Sequence, residues 1–169
     1  FGSSAWSQEG SFQGFAPCPR IRAMHLACEL PKLTTTYAID QAVIQEPSKV
    51  VCLRLGEEFN IQTMQMDQVL KEAIPVVQEY CNIYQVDPRE VSQCVTEFQL
   101  TEPMTLIFFY RGKPLQIDLG PGHGATRKIT WALGNRQEFS DLVEACYRGA
   151  QQGRDLIVAP KDYTMQFRY

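Results

Sequence analysis

Val50-Val51-Cys52-Leu53-Arg54-Leu55, then Ile61 to Tyr80, then Cys81-Asn82-Ile83-Tyr84-Gln85-Val86 is the stretch from which the architecture of this chain can be read. The first run is almost continuously apolar and too short for a helix, the pattern of an interior parallel strand. Between the two runs, Met66, Val69, Leu70, Ala73 and Val77 recur at helical spacing, which predicts an amphipathic helix with a kink at Pro75. The second run predicts another strand, stopped by Asp87-Pro88. A strand, a crossover helix and a strand of these lengths close as a parallel pair of right-handed connection.

Working outward, Thr36 is the expected N-cap of a short helix carrying Ile39, Ala42 and Val43 and ended by Pro47. Downstream, a short helix is expected over residues 89–98 and a third strand from Met104 to Tyr110. Arg111-Gly112-Lys113 has turn chemistry, so Leu115 to Leu119 is read as the hairpin partner of that strand. After a glycine-rich loop, Asn135 caps a last helix with Phe139, Leu142, Val143, Cys146, Tyr147 and Ala150 on one stripe, stopped by Gly153. The order helix, then β-α-β-α-β-β-α, predicts an α/β fold of thioredoxin-like topology: a four-stranded mixed sheet with helices on both faces. Residues 1–33, rich in Gly, Ser and Pro, are expected to be a flexible leader, residues 34–153 the domain, and residues 154–169 a C-terminal tail. Met24, just ahead of the better-patterned region, is the expected start of a shorter native form.

The 169 residues are 44% hydrophobic and 21% charged, the composition of a folded domain, with a net charge of −3. That balance lacks the basic footprint of an autonomous nucleic-acid binder. It conceals an asymmetry: residues 56–102 sum to −7 and residues 111–136 to +4. No apolar run reaches the roughly 20 residues of a membrane span.

The six cysteines, Cys18, Cys28, Cys52, Cys81, Cys94 and Cys146, include no CxxC pair, and with His25 and His123 the only imidazoles, no metal site is expected. They are expected to be free thiols of a reducing compartment. Thiol chemistry in a thioredoxin-like fold needs a thiolate at the head of the helix after the first strand. Asn60-Ile61-Gln62-Thr63 occupies that turn and supplies none. Cys52 and Cys146 are expected to be inert core. His123 in its glycine-rich loop lacks the ending of a phosphate loop, and the adjacent Glu57-Glu58 do not converge on a substrate. No catalytic residue and no cofactor are therefore expected. The tail, with Lys161, Arg168, Tyr163, Phe167 and Tyr169, has the Tyr and Arg content of a binding hot spot, and is expected either to pack back onto the domain or to dock onto a partner. Deleting residues 155–169 is expected to leave the fold largely intact and to weaken assembly.

Asp40-Gln41-Ala42, the strand from Val50 to Gly56, Met64-Gln65-Met66-Asp67-Gln68-Val69-Leu70, Ile83 to Asp87, Phe108-Phe109, Ile117 to Gly120, Tyr147-Arg148-Gly149-Ala150, Pro160-Lys161-Asp162-Tyr163 and the ending Phe167-Arg168-Tyr169 together resemble the DIM family, the small thioredoxin-like subunits of the spliceosomal U5 snRNP. The resemblance runs from about Tyr37 to Tyr169, and the Lys161-Asp162-Tyr163 ending favours its tri-snRNP branch. It implies a non-catalytic nuclear subunit of the U4/U6.U5 tri-snRNP in pre-mRNA splicing. Such a subunit sits between the large U5 scaffold protein and the helical-repeat bridging protein, as a placeholder near the 5′ splice site, with snRNA or pre-mRNA contact secondary. Family members often carry cysteines where this chain has Thr63 and Met104, so a redox-regulated version of the role is not expected here. Arg148, Lys161, Tyr163, Arg168 and Tyr169 match family positions and are the expected partner contacts. Pro103 approximates the cis-proline position of thioredoxin folds, and a cis Glu102-Pro103 bond is expected. The alternative is a redox-responsive or peptide-binding thioredoxin-like protein outside splicing.

Overall fold

The computed structural model describes residues 29–163. Strand β2 (Val50–Gly56) is buried along its whole length and pairs in parallel with β3 (Cys81–Val86) on one side. On its other side it pairs antiparallel with β4 (Met104–Tyr110), which is equally buried. Strand β1 (Lys32–Leu33) adds in parallel to β3, while β5 (Lys113–Pro114) and β8 (Lys128–Ile129) pair with β4. The main sheet order is β1-β3-β2-β4-β5.

Alternation along the strands sends side chains to two cores. Val51, Leu53, Leu55, Ile107 and Phe109 pack under α1 (Thr36–Ile44) and α3 (Gln93–Glu97). Val50, Cys52, Leu106 and Phe108 pack under α2 (Ile61–Val77) and α4 (Arg136–Gln151). The expected mixed sheet with helices on both faces is therefore present, but with six strands instead of the four expected, because the short β1, β5 and β8 add to its edges.

Several boundaries moved, each for a local reason. Thr35, not Thr36, caps α1, its hydroxyl accepting from Ala38 N at 3.1 Å. Helix α2 ends two residues after Pro75, which brings no N–H to its last turn. Helix α3 is shorter than residues 89–98 because Asp87 turns the chain, accepting Arg89 N on its side chain at 2.9 Å and Glu90 and Val91 N on its carbonyl. The hairpin turn forms as read, with Arg111 and Gly112 both at positive φ (51° and 79°). Its return strand does not run on beside β4. Leu115 N still donates to Phe108 O at 2.8 Å, but Gln116 N donates to Asp155 O at 2.9 Å, and β6 (Gln116–Asp118) leaves to join a second sheet of order β7-β6-β9, with β7 (Ala125–Thr126) antiparallel and β9 (Leu156–Val158) parallel to it.

Both expected flanks are folded where described. Leu30 is buried and Lys32-Leu33 are sheet residues, so the domain begins inside the expected leader. Downstream, Ile157 and Tyr163 are core, and Tyr163 N donates to Leu119 O at 3.2 Å. Residues 155–163 thus cover β6 and α4 instead of trailing from them, so their deletion is now expected to destabilise the fold. Met24, Cys18, Cys28, His25, Phe167, Arg168 and Tyr169 lie outside the described residues.

Candidate functional site

The head of α2, at the carboxyl end of β2, is where an open parallel sheet presents ligands. Asn60 caps the helix by accepting Gln62 N at 2.9 Å. Thr63, one turn in, is fully buried. It sits over Gly56, where an added Cβ would lie 2.8 Å from Thr63 Oγ1 and 3.0 Å from Pro103 O. Met104, also buried, stands across the ladder from Gly56. Inward, this corner is closed by packing. Outward, Phe59, Ile61 and Met64 face solvent.

The Glu102-Pro103 bond is trans, contrary to expectation. Pro103 itself is exposed, and it is Met104, one residue on, that enters the core at the strand start. The extra residue before Thr105 places the proline outside the packed corner, where no tight turn needs the cis form.

Beside this corner lies an arrangement that the sequence reading passed over. Arg54 is 1% exposed in the middle of β2. Its Nε stands 2.7 Å from Asp67 Oδ1, and its Nη2 donates to Asp67 Oδ2 at 3.0 Å and to Gln85 Oε1 at 2.6 Å. Nη1 donates to Gly56 O at 2.8 Å. Burial lowers the guanidinium pKa despite Asp67, and burial raises that of Asp67 despite Arg54. Desolvation thus outweighs the pairing on both partners, as expected of a buried ion pair. The available signal was an arginine in a run of apolar strand residues and an aspartate on the helix that crosses it.

Cys52, Cys81, Cys94 and Cys146 are free and buried. Burial pushes every one of these thiols up, Cys146 to about 12. A thiol held protonated and out of water is neither a nucleophile nor a metal ligand. Glu57 is ion-paired with Arg89, and Glu58 with Lys32 at 3.0 Å, so each of the adjacent carboxylates has its own cation. His123 lies in the turn after Gly120, its N donating to Gly120 O at 3.3 Å. Among the described residues no helix is long and apolar enough to cross a membrane.

Of the expected contact residues that are described, Lys161 and Tyr163 are brought together, and Arg148 is placed separately on α4. Arg148 is exposed on α4 and ion-paired with Glu144. The Lys161 side chain, 55% exposed, reaches Glu138 Oε1 at 3.5 Å and lies over the Tyr163 ring. Tyr163 is wholly buried against Trp131, with ring centroids 5.5 Å apart. Burial, then the nearby Glu138 carboxylate, raises its phenol pKa. Tyr163 is a core residue in this chain, and Lys161 and Arg148 are the described candidates left at the surface.

Among solved structures, the chain is similar to a thioredoxin of Fasciola hepatica (TM-score 0.54, 10% identity, 68% of this chain and 97% of that one) and to chloroplastic thioredoxin z (TM-score 0.55, 9% identity, 71% and 96%). At such identities the likeness shows the thioredoxin fold alone. Curated relatives include the mitosis protein dim1 of Schizosaccharomyces pombe, 36% identical over 140 residues, 83% of this chain and 97% of that protein. The spliceosomal protein DIB1 of Saccharomyces cerevisiae is 36% identical over 134 residues, 79% and 92% of the two chains. The human thioredoxin-like protein 4B is 31% identical over the same length, 79% and 88%. Residues 29–163, the whole of the packed domain, match the family model described as mitosis protein DIM1, and the chain belongs to that family.

Proposed function

We propose that this chain is a non-catalytic protein subunit of the U5 snRNP and of the U4/U6.U5 tri-snRNP, acting in pre-mRNA splicing in the nucleus through protein–protein contacts. The observation that carries the reading is family membership over the whole packed domain, with relatives that are spliceosomal proteins. Two features of the site support the non-catalytic part. The head of α2 reads Asn60-Ile61-Gln62-Thr63, without the CxxC pair that dithiol exchange requires. The described cysteines are buried and protonated. The large U5 scaffold protein and the helical-repeat bridging protein are the proposed neighbours. Arg148 and Lys161, together with Arg168 and Tyr169, are the proposed contacts, and Tyr163 serves them by seating the segment that carries Lys161. Any snRNA or pre-mRNA contact is secondary and belongs to the cationic segment over residues 111–136.

The test is purification of the tagged chain from cell extract at moderate salt with probing for small nuclear RNAs. U5, U4 and U6 RNAs are expected to be enriched, and levels no higher than in a mock purification overturn the assignment. An insulin-reduction assay separates this reading from a redox role outside splicing: no turnover is expected.

A further inference from the structure

Three large apolar side chains stand in solvent at the head of α2: Phe59, Ile61 and Met64 are 83%, 72% and 58% exposed. The spacing of Phe59 and Met64 about the Asn60 cap is that of a hydrophobic staple, which orients the entry of the chain. A staple accounts neither for Ile61 nor for the area all three leave uncovered. Isolated exposed apolar residues are ordinary; three within six positions on one tip make a patch. Nothing in the core needs them there, because Thr63 and Met66 already turn the inner face of the helix to the sheet.

The patch opens into a groove of about 580 Å³ that starts at Met64 and follows α2 past Gln68 to Glu72, with Glu29, Glu58 and Gln85 opposite. The groove is acidic. Asp67 is matched by Arg54 and Glu58 by Lys32, but over the groove and its bordering ion pairs six acids (Glu29, Glu57, Glu58, Asp67, Glu72, Glu90) face four bases (Lys32, Arg54, Lys71, Arg89). Such a surface repels phosphate and attracts Lys and Arg.

We propose that this tip and groove form a docking surface for an extended segment of a protein partner in which a large apolar anchor is followed by Arg or Lys. The anchor packs on Phe59, Ile61 and Met64, and the basic side chain lies along α2 toward Glu72 and Glu29. This rests on the reading that the chain works through protein contacts, and adds where one of them falls and what chemistry it has. It also divides the molecule by charge: the protein segment here, any RNA on the opposite-signed surface.

The experiment uses the full chain carrying Ile61→p-benzoylphenylalanine, photo-crosslinked in cells and purified through a tag, with the crosslinked residues located by mass spectrometry. The expected product joins position 61 to another protein within a segment that has large apolar and basic residues and a net positive charge. In parallel, Phe59→Ser/Met64→Ser and Glu29→Lys/Glu72→Lys are each expected to lower recovered U5 RNA about tenfold, the scale of a hot-spot loss, with an unchanged melting temperature. Crosslinks to RNA, to an acidic segment or to residues 1–28 of the same chain overturn the proposal. So does absence of a crosslink, or undiminished recovery by both variants, while U5 RNA co-purifies with the parent chain. If U5 RNA is absent from the parent purification, it is the splicing assignment that falls, and the composition of the crosslinked segment still judges the surface.

Discussion

Arg54 is a charged residue placed where a strand offers only burial, and its pairing with Asp67 makes the two interdependent. Arg54→Met is expected to cost about 3 kcal/mol, because Asp67 is left without its cation in a largely enclosed place. Asp67→Leu is expected to cost a similar amount, with Arg54 stranded instead. The double variant should lose less than the sum of the two, which urea denaturation of all four proteins would check. The raised pKa of Asp67 has its own signature. A carboxyl that holds its proton more tightly folded than unfolded contributes stability that declines as pH rises from its ordinary value near 3.8 through the folded value. Asp67→Asn is expected to remove that decline from the difference in urea midpoints between pH 4 and 6. At the same scale, the thiols of Cys52, Cys81, Cys94 and Cys146 are expected to resist iodoacetamide in the native protein at pH 8 and to react fully in guanidinium, as read by peptide mass.

Between elements, two close approaches define how helices sit on the sheets. Gly56 lets α2 lie down on β2, and Gly149 lets α4 lie against Ile157 of β9. Gly56→Ala is expected to destabilise by about 1–3 kcal/mol, since the new methyl meets a backbone oxygen as well as Thr63. The segment after α4 is held just as firmly. Ile157 fills the space over Gly149, and Tyr163 closes the core beside Trp131. Tyr163→Ala is expected to cost about 3–5 kcal/mol, the range for emptying a buried aromatic site. Removal of residues 155–169 should lower the melting temperature further by exposing β6. Unchanged thermal unfolding of either variant would show these contacts to be dispensable.

For the whole molecule, the modest net charge of −3 hides two segments of opposite sign, residues 56–102 at −7 and residues 111–136 at +4. Such a division of charge suits protein contacts, because charge steers encounter and rejects wrong orientations. Thr63, Gly56 and Met104 fill the inside of the turn where thioredoxin-like folds hold their thiols, while Phe59, Ile61 and Met64 present an apolar exterior. Raising salt is expected to weaken recovery of U5 RNA by the parent chain more than by Glu29→Lys/Glu72→Lys, where the attraction has been removed.

Periodicity alone was enough to define β2, α2, β3, β4 and α4, because each buries a face whose repeat is written locally: unbroken for an interior strand, three to four residues for a helix. The missing thiol pair was equally plain, being a matter of residue identity at one turn. Three features emerged only on folding. The path of residues 116–118 depended on β9 and Asp155 before it drawing Gln116 away from β4, a choice between partners distant in sequence. Tyr163 was read as a contact residue from the Tyr and Arg content of the tail, and it is core because it packs against Trp131, far back in the chain. Arg54 was hidden among apolar neighbours until the crossover laid Asp67 over it. Sequence determined the elements because their hydrogen bonds and apolar spacing are local; tertiary structure decided the flanks, the buried ion pair and the exposed tip, because burial is a property of what the rest of the chain covers.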